Sequence, residues 1–214
     1  MKNLEIYIHI PFCVRKCEYC DFLSFPADDD AKLRYVKGLM AEMIFYGPLM
    51  KNYQVSSVYI GGGTPSSIDE QWIAALMEGV FDCFNVLPDA EISIECNPGT
   101  LSREKLLAYR DAGINRLSIG LQSANNDELK LLGRIHTFEQ FVTNYEVARN
   151  VGFKNINVDL MYGLPGQSAS QYMATVNKII RLNPDHISAY SLIVEKGTPF
   201  YEKYKFDMVR QEAG

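Results

Sequence analysis

Apolar residues recur along the chain with two different periods, which predict alternating strands and helices. A period of two predicts strands over residues 4–10, 55–60, 91–96, 116–122, 155–161 and 186–193. A period near 3.6 predicts helices over residues 31–47, 69–84, 103–112, 125–132, 138–150 and 169–181. Strands that alternate with helices are typical of a parallel sheet covered by helices, so the chain is predicted to be α/β. The pattern alone allows either a barrel or an open doubly wound sheet.

The predicted strands have one apolar face and one polar face. In the third strand Ile92 and Ile94 share one face, while Glu91 and Glu95 share the other. The fourth and fifth strands alternate in the same way, although a strand covered by helices on both faces should be almost entirely apolar. Because a buried charge without a partner is unfavourable, we expect a barrel whose interior holds a polar ligand. The alternative is an antiparallel sheet with one wet face, which the intervening helices disfavour.

Composition narrows the class of protein further. The 214 residues are enough for one domain with a full core, and the formal net charge of −5 gives no reason to expect nucleic acid or an anionic membrane surface as partner. No stretch approaches the roughly 20 apolar residues of a membrane span, and the N-terminus does not resemble a signal peptide. Clustered unpaired cysteines suit a reducing compartment, so we expect a cytoplasmic protein.

Three of the five cysteines lie within eight residues, in the spacing Cys-x3-Cys-x2-Cys. Cys13, Cys17 and Cys20 follow the first predicted strand, which Pro11 ends. A disulfide framework would spread an even number of cysteines along the chain, and structural zinc usually takes four ligands in two pairs. An iron–sulfur cluster takes cysteine thiolates, and three of them would leave one iron open to a substrate or cofactor. We favour the cluster over a Cys3His zinc site with His9, and over three idle thiols.

This stretch resembles the cluster loop of the radical S-adenosylmethionine (SAM) superfamily, and the wider sequence resembles its coproporphyrinogen dehydrogenase and HemW-type branch. The matching blocks follow the family order over residues 7–22, 59–66, 94–100, 117–123, 132–137 and 157–166. The cysteine motif is shared by the whole superfamily, whereas six ordered blocks together indicate the branch. The resemblance implies a partial (βα)6 TIM-like barrel.

The same resemblance implies a [4Fe–4S] cluster held by the three cysteines, with SAM on the open iron, and reductive cleavage of SAM to a 5′-deoxyadenosyl radical. The SAM contacts that it implies are Tyr7, Tyr19, Gly63, Thr64, Glu95, Gln122, Arg134, Asp159 and Ile193. Glu95, Gln122 and Asp159 are also on the polar phase of their strands, so the two arguments agree there. Cys83 and Cys96 are expected to be packed thiols.

Within the branch, the sequence is closest to the HemW-type heme chaperones. Coproporphyrinogen dehydrogenases carry a further cysteine two positions after the third cluster cysteine, and here that position is Phe22. We therefore expect a chaperone of heme trafficking without dedicated substrate turnover, with heme or another tetrapyrrole, an electron donor and a heme-acceptor protein as partners. The alternatives are an oxygen-independent coproporphyrinogen III oxidase of porphyrin biosynthesis, a related radical SAM methyltransferase, or a structural metal domain without turnover.

The resemblance also implies that a further region follows the barrel in the full-length protein. HemW-type proteins continue after the barrel with a region that carries a His-Asn-x-x-Tyr-Trp motif linked to heme, whereas the single tryptophan here is Trp72. We therefore expect a radical SAM core over residues 1–194, with its cluster loop at 13–20. Residues 195–214 are expected to begin a C-terminal extension whose remainder is absent, so that heme is a possible ligand of the full-length protein.

Overall fold

The structure is a computed structural model that describes residues 2–211, with side chains through residue 205. The strands are β1 (Lys2–Ile10), β2 (Tyr53–Gly62), β3 (Val86–Cys96), β4 (Arg116–Gln122), β5 (Asn155–Tyr162) and β6 (His186–Ser191). The helices are α1 (Asp29–Tyr46), α2 (Glu70–Cys83), α3 (Arg103–Asp111), α4 (Asn126–Leu131), α5 (Phe138–Asn150), α6 (Ala169–Ile180) and α7 (Pro199–Gln211). Short 3-10 turns cover Gly47–Met50, Pro65–Ser67 and Pro98–Thr100.

The six strands form a single parallel sheet in the order β1-β2-β3-β4-β5-β6. A doubly wound sheet would reverse its strand order near the middle, whereas this order continues in one direction. The sheet is therefore a half-barrel covered by helices, which confirms the predicted partial TIM-like barrel. The antiparallel alternative is wrong, since every pair of neighbouring strands is parallel.

The core lies between the apolar face of the sheet and the helices. Leu117, Ile119 and Leu121 of β4 are fully buried, as the alternating pattern predicted. The helices begin at side-chain caps, for example at Ser168, whose hydroxyl accepts from the backbone N–H of Gln171. The polar phase of each strand thus faces the concave side, and the carboxyl ends of all six strands meet at one rim.

Several predicted boundaries differ from the structure. Strand β3 begins at Val86 rather than residue 91, because Val86 pairs with Val55 across the sheet. Strand β6 ends at Ser191 rather than residue 193, where backbone pairing with β5 stops. The predicted extension at 195–214 contains α7, while its residues 212–214 lie outside the described residues; its status as an extension remains a prediction. No helix within residues 2–211 is both long and apolar enough to cross a membrane.

Candidate cofactor site

A concavity opens at the carboxyl ends of the strands, where ligands of parallel α/β folds bind. It contains about 840 Å³ of space, part of which is open to solvent. The predicted site residues that line it are Cys13, Cys17, Cys20, Tyr19, Gly63, Thr64, Glu95, Gln122, Arg134 and Asp159. The fold thus brings together all three cysteines and seven of the nine predicted SAM contacts.

Two predicted contacts do not line this concavity. Tyr7 is 58% exposed on β1, where its ring stacks on Tyr59 and its hydroxyl lies 3.2 Å from Nδ1 of His9. Ile193 is 66% exposed and follows the end of β6, so its side chain is not held by the sheet.

The cysteine loop is closed at its base by backbone hydrogen bonds. Phe25 donates its N–H to the carbonyl of Pro11 at 2.9 Å, and Cys13 donates to the carbonyl of Phe25 at 3.2 Å. Within the loop, the N–H of Cys20 donates to the carbonyl of Cys17 at 3.2 Å. All three thiols are free and half-buried. The loop therefore holds its sulfur atoms at the rim of the concavity without any disulfide.

Each of these sulfur atoms accepts a hydrogen bond from a different donor. The hydroxyl of Thr64 donates to Sγ of Cys13 at 3.4 Å, and Nη1 of Arg134 donates to Sγ of Cys17 at 3.7 Å. Burial raises the pKa of the Cys20 thiol, and a hydrogen bond from the backbone of Phe22 opposes that rise. Donors of this kind favour the thiolate form, which is the form that binds iron.

The glycine-rich loop after β2 packs directly on the cysteine loop. The N–H of Gly63 donates to the carbonyl of Ile10 at 2.8 Å, and the N–H of Thr64 donates to the carbonyl of Phe12 at 2.7 Å. A Cβ on Gly63 would lie 2.8 Å from the carbonyl oxygen of Phe12 and 3.0 Å from Sγ of Cys13. Glycine is required because the two loops approach so closely.

Glu95 of β3 is held by two residues at the end of β2, next to the glycine-rich loop. Its carboxylate accepts from the hydroxyl of Tyr59 at 2.8 Å and from the N–H of Gly62 at 3.1 Å. Burial raises the pKa of the Glu95 carboxyl, although both hydrogen bonds act in the opposite direction. The carboxylate is thus positioned on the concave side, and no Lys or Arg side chain within residues 2–205 forms an ion pair with it.

Asp159 of β5 is held in a similar way. Its two oxygens accept from Ser118 at 3.1 Å and from the amide of Asn157 at 2.8 Å. Burial raises the pKa of the Asp159 carboxyl, whereas these hydrogen bonds lower it. Sequence reasoning did not single out Ser118 and Asn157 as site residues, although both lie on the polar phase of their strands.

Arg134 and Gln122 complete the opposite wall. Arg134 donates through Nη2 to the carbonyl of Gly120 at 2.5 Å, while its buried Nε has no hydrogen-bond partner among the described residues. Gln122 has a positive φ of 74°, and its side-chain oxygen accepts from the hydroxyl of Tyr190 at 2.7 Å. Burial raises the pKa of Tyr190 to about 12, so its hydroxyl stays protonated at neutral pH. The uncommitted N–H of Arg134 suits an anionic ligand group.

The donor set fits an iron–sulfur cluster together with a small polar cofactor. The described residues include no group of three His, Cys, Asp or Glu side chains that could hold a single metal ion. His9, the fourth ligand of the zinc alternative, has both ring nitrogens within 3.3 Å of protein oxygens, on Tyr7 and Leu23. Three free thiols that line one concavity are the ligand type that iron–sulfur clusters use.

The remaining cysteines and histidines have structural surroundings. Cys96 is buried, and burial raises the pKa of its thiol. Cys83 lies at the end of α2. His136 is buried with Nε2 at 3.3 Å from the carbonyl of Leu121, and Nδ1 of His186 lies 2.5 Å from the side-chain oxygen of Asn157.

A half-barrel with three cysteines in a loop after its first strand is typical of the radical SAM superfamily, and comparison with known families supports this assignment. Residues 7–179 match the Radical SAM superfamily, and the chain belongs to this superfamily. The heme chaperone HemW of Bacillus subtilis is 40% identical over 196 residues, which are 91% of this chain and 52% of that protein. The HemW of Escherichia coli is 39% identical over 203 residues, with 92% and 52% covered. The chain thus spans about half the length of these curated relatives.

Solved structures show the same fold. The coproporphyrinogen III oxidase HemN of Escherichia coli, described as a radical SAM enzyme, superposes with a TM-score of 0.83 and 28% identity over 98% of this chain and 52% of that one. Streptococcus suis SuiB bound to S-adenosylmethionine superposes with a TM-score of 0.66 over 99% of this chain and 48% of that one. At 19% identity, the second likeness shows the fold alone.

Proposed function

We propose that the chain is the cluster- and SAM-binding part of a heme chaperone of the HemW type. The observation that carries the proposal is that three hydrogen-bonded thiols line a polar concavity at the carboxyl ends of the strands. Relatives named as heme chaperones, at 39–40% identity, support the choice of branch.

In this proposal Cys13, Cys17 and Cys20 hold a [4Fe–4S] cluster. The residues proposed to bind SAM are Tyr19, Gly63, Thr64, Glu95, Gln122, Arg134 and Asp159, with Tyr7 and Ile193 outside the described concavity. A reduced cluster of this kind supplies the electron for cleavage of the SAM sulfonium. The chain itself supplies donors to the thiolates, a free N–H on Arg134 for a carboxylate, and two half-buried carboxylates for hydroxyl groups.

A second candidate is an oxygen-independent coproporphyrinogen III oxidase. The superposition on HemN, with a TM-score of 0.83, favours it. Phe22 disfavours it, because this side chain lines the concavity where coproporphyrinogen dehydrogenases carry a further cysteine. A radical SAM methyltransferase acting on a tetrapyrrole is a variant of the same candidate.

The proposal also implies partners and a location. A chaperone of this type would bind heme or another tetrapyrrole, take electrons from a donor and pass heme to an acceptor protein. Because the site needs reduced thiols, a reducing compartment such as the cytoplasm is proposed.

The cluster is tested by anaerobic reconstitution with iron and sulfide, followed by electron paramagnetic resonance of the reduced protein with and without SAM. We expect a [4Fe–4S] signal that changes when SAM is added. Cys13→Ala should reduce iron incorporation at least tenfold, while Cys83→Ala, a matched change at a cysteine outside the loop, should leave it unchanged. Absence of a cluster in the wild-type chain would refute the proposal.

Heme binding and turnover then separate the two candidates. The reconstituted protein is titrated with heme by absorbance, and is separately incubated with SAM, a reductant and coproporphyrinogen III. Heme binding without decarboxylated product supports the chaperone, whereas formation of that product supports the oxidase.

A further inference from the structure

The contact between Thr64 and Cys13 points to a role that is distinct from binding SAM. The hydroxyl of Thr64 donates a hydrogen bond to Sγ of Cys13 at 3.4 Å. This pair joins the loop after β2 to the cysteine loop, although 51 residues separate the two in sequence.

The backbone around Thr64 fixes the position of this hydroxyl. The N–H of Thr64 donates to the carbonyl of Phe12 at 2.7 Å, and its carbonyl accepts from the N–H of Ser67 at 2.8 Å. The donor is therefore held in place by the main chain on both sides. A short, branched side chain also loses little conformational entropy when it is ordered there.

We propose that the Thr64 hydroxyl is a hydrogen-bond donor to a cluster ligand and raises the reduction potential of the cluster. The inference rests on the proposed function, because it requires the cluster. Reduction adds negative charge to a cluster and its thiolates, and a donor aimed at a ligand sulfur stabilises the reduced form more than the oxidised form. Thr64 is thus a positioning and tuning residue.

Arg134 makes a similar contact with Cys17 but is less suited to a test. Its guanidinium carries a full charge and is also proposed to meet SAM, so its replacement would change several properties together. Thr64 is neutral and can be replaced by valine, which has nearly the same shape and no hydroxyl. Thr64→Ser retains the hydroxyl and is the matched control.

The experiment is a mediated dithionite titration of the reconstituted cluster, followed by electron paramagnetic resonance in the absence of SAM. Omitting SAM separates this role from any contact of Thr64 with the cofactor. We expect Thr64→Val to lower the equilibrium constant for one-electron reduction about tenfold, which is a shift of about 59 mV to more negative potential. Thr64→Ser should stay close to the wild-type potential.

The outcomes separate a failure of the Thr64 inference from a failure of the proposed function. Equal potentials in wild type and Thr64→Val, both with a cluster, would overturn this inference and leave the proposed function intact. If replacement by valine prevents cluster binding, Thr64→Ala is measured in the same way, with a more negative potential in support and an unchanged one against. A wild-type chain that holds no cluster would overturn both the proposed function and this inference.

Discussion

At the scale of single residues, the polar groups of the concavity are held by neighbouring side-chain and backbone donors. Glu95 accepts from Tyr59 and Gly62, and Asp159 accepts from Ser118 and Asn157. Side chains that are locked by such partners do not need to reorganise when a cofactor binds. The two half-buried carboxylates are therefore held in position by the protein itself.

His136 gives a pH-dependent prediction. Burial and the nearby charge of Arg134 lower the pKa of His136 to about 3, whereas an unfolded histidine titrates near 6.5. As the pH falls from about 6.5 towards about 3, the unfolded chain binds a proton that the folded chain excludes, so the free energy of unfolding decreases. The contribution is at most about 1.4 kcal/mol per pH unit.

The measurement compares urea unfolding of wild type and His136→Gln at pH 7 and pH 5, both without metal. Glutamine can still donate to the carbonyl of Leu121 but does not titrate. We expect the variant to lose less stability than wild type between the two pH values. An equal loss in both proteins would contradict the prediction.

The sequence predicted the face of the sheet on which a side chain lies wherever apolar and polar residues alternate along a strand. Glu95 and Asp159 could be assigned to the concave face because alternation along a strand is strictly local. Arg134 was identified only through the family resemblance. Its contact partner Cys17 lies 117 residues away in the sequence, and a contact at that separation produces no periodic pattern in the sequence. The positions of Tyr7 and Ile193 outside the described concavity were not expected, since alternation gives the face of a strand but not the extent of a cavity.

At the scale of elements, glycine has opposite effects in α1 and at the end of β2. Gly38 lies in α1, where an added Cβ would meet nothing within 4 Å. Gly62 has a φ of +119°, and an added Cβ would lie 2.7 Å from the ring of His9 and 2.9 Å from the carbonyl oxygen of Ile10. The first glycine weakens its helix, while the second permits the close approach of β2 to His9 and Ile10 of β1.

The two glycines therefore predict opposite effects of substitution by alanine. Gly38→Ala should stabilise the protein by about 0.5–1 kcal/mol, because alanine loses less backbone entropy in a helix. Gly62→Ala should destabilise it by about 1–3 kcal/mol, because the backbone conformation and the neighbouring atoms both oppose a side chain. Urea unfolding of the two variants beside wild type measures both values, and a stabilising Gly62→Ala would contradict the geometry.

Element boundaries show where sequence patterns stop being informative. The register between β4 and β5 shifts between Gly120 and Gln122, where Gln122 adopts its positive φ. A regular alternation from residue 116 to 122 predicted the strand correctly but cannot reveal such an irregularity. The early start of β3 was missed because Pro88 and Asp89 resemble a loop, whereas pairing of Val86 with Val55 extends the strand.

At the scale of the whole molecule, α7 connects the cysteine loop to the far side of the half-barrel. Phe200 is 1% exposed and packs in a second, smaller core with Leu132, Met161 and Leu164. Its N–H donates to the carbonyl of Glu18 at 3.0 Å, and its ring meets that of Tyr19 edge-on. The smaller core thus links the cysteine loop and α7 to the end of β5.

Phe200→Ala should lower the free energy of unfolding by about 3–5 kcal/mol, because it leaves a cavity in this smaller core. The loosened support should also speed the loss of iron from the reconstituted protein. Ile180→Ala is the control, because Ile180 is 57% exposed and its replacement should change stability by less than about 0.5 kcal/mol. Equal stabilities of the two variants would contradict a supporting role for α7.

The long-range contact between Arg134 and Cys17 has a consequence for biosynthesis. A ribosome needs on the order of ten seconds to add the 117 residues that separate them. During that interval the Cys17 thiol lacks the Arg134 donor that it has in the finished fold. If the chain holds the proposed cluster, iron loading is best timed after translation has passed Arg134, and the brown colour of the cluster would report that Arg134 has reached the cysteine loop.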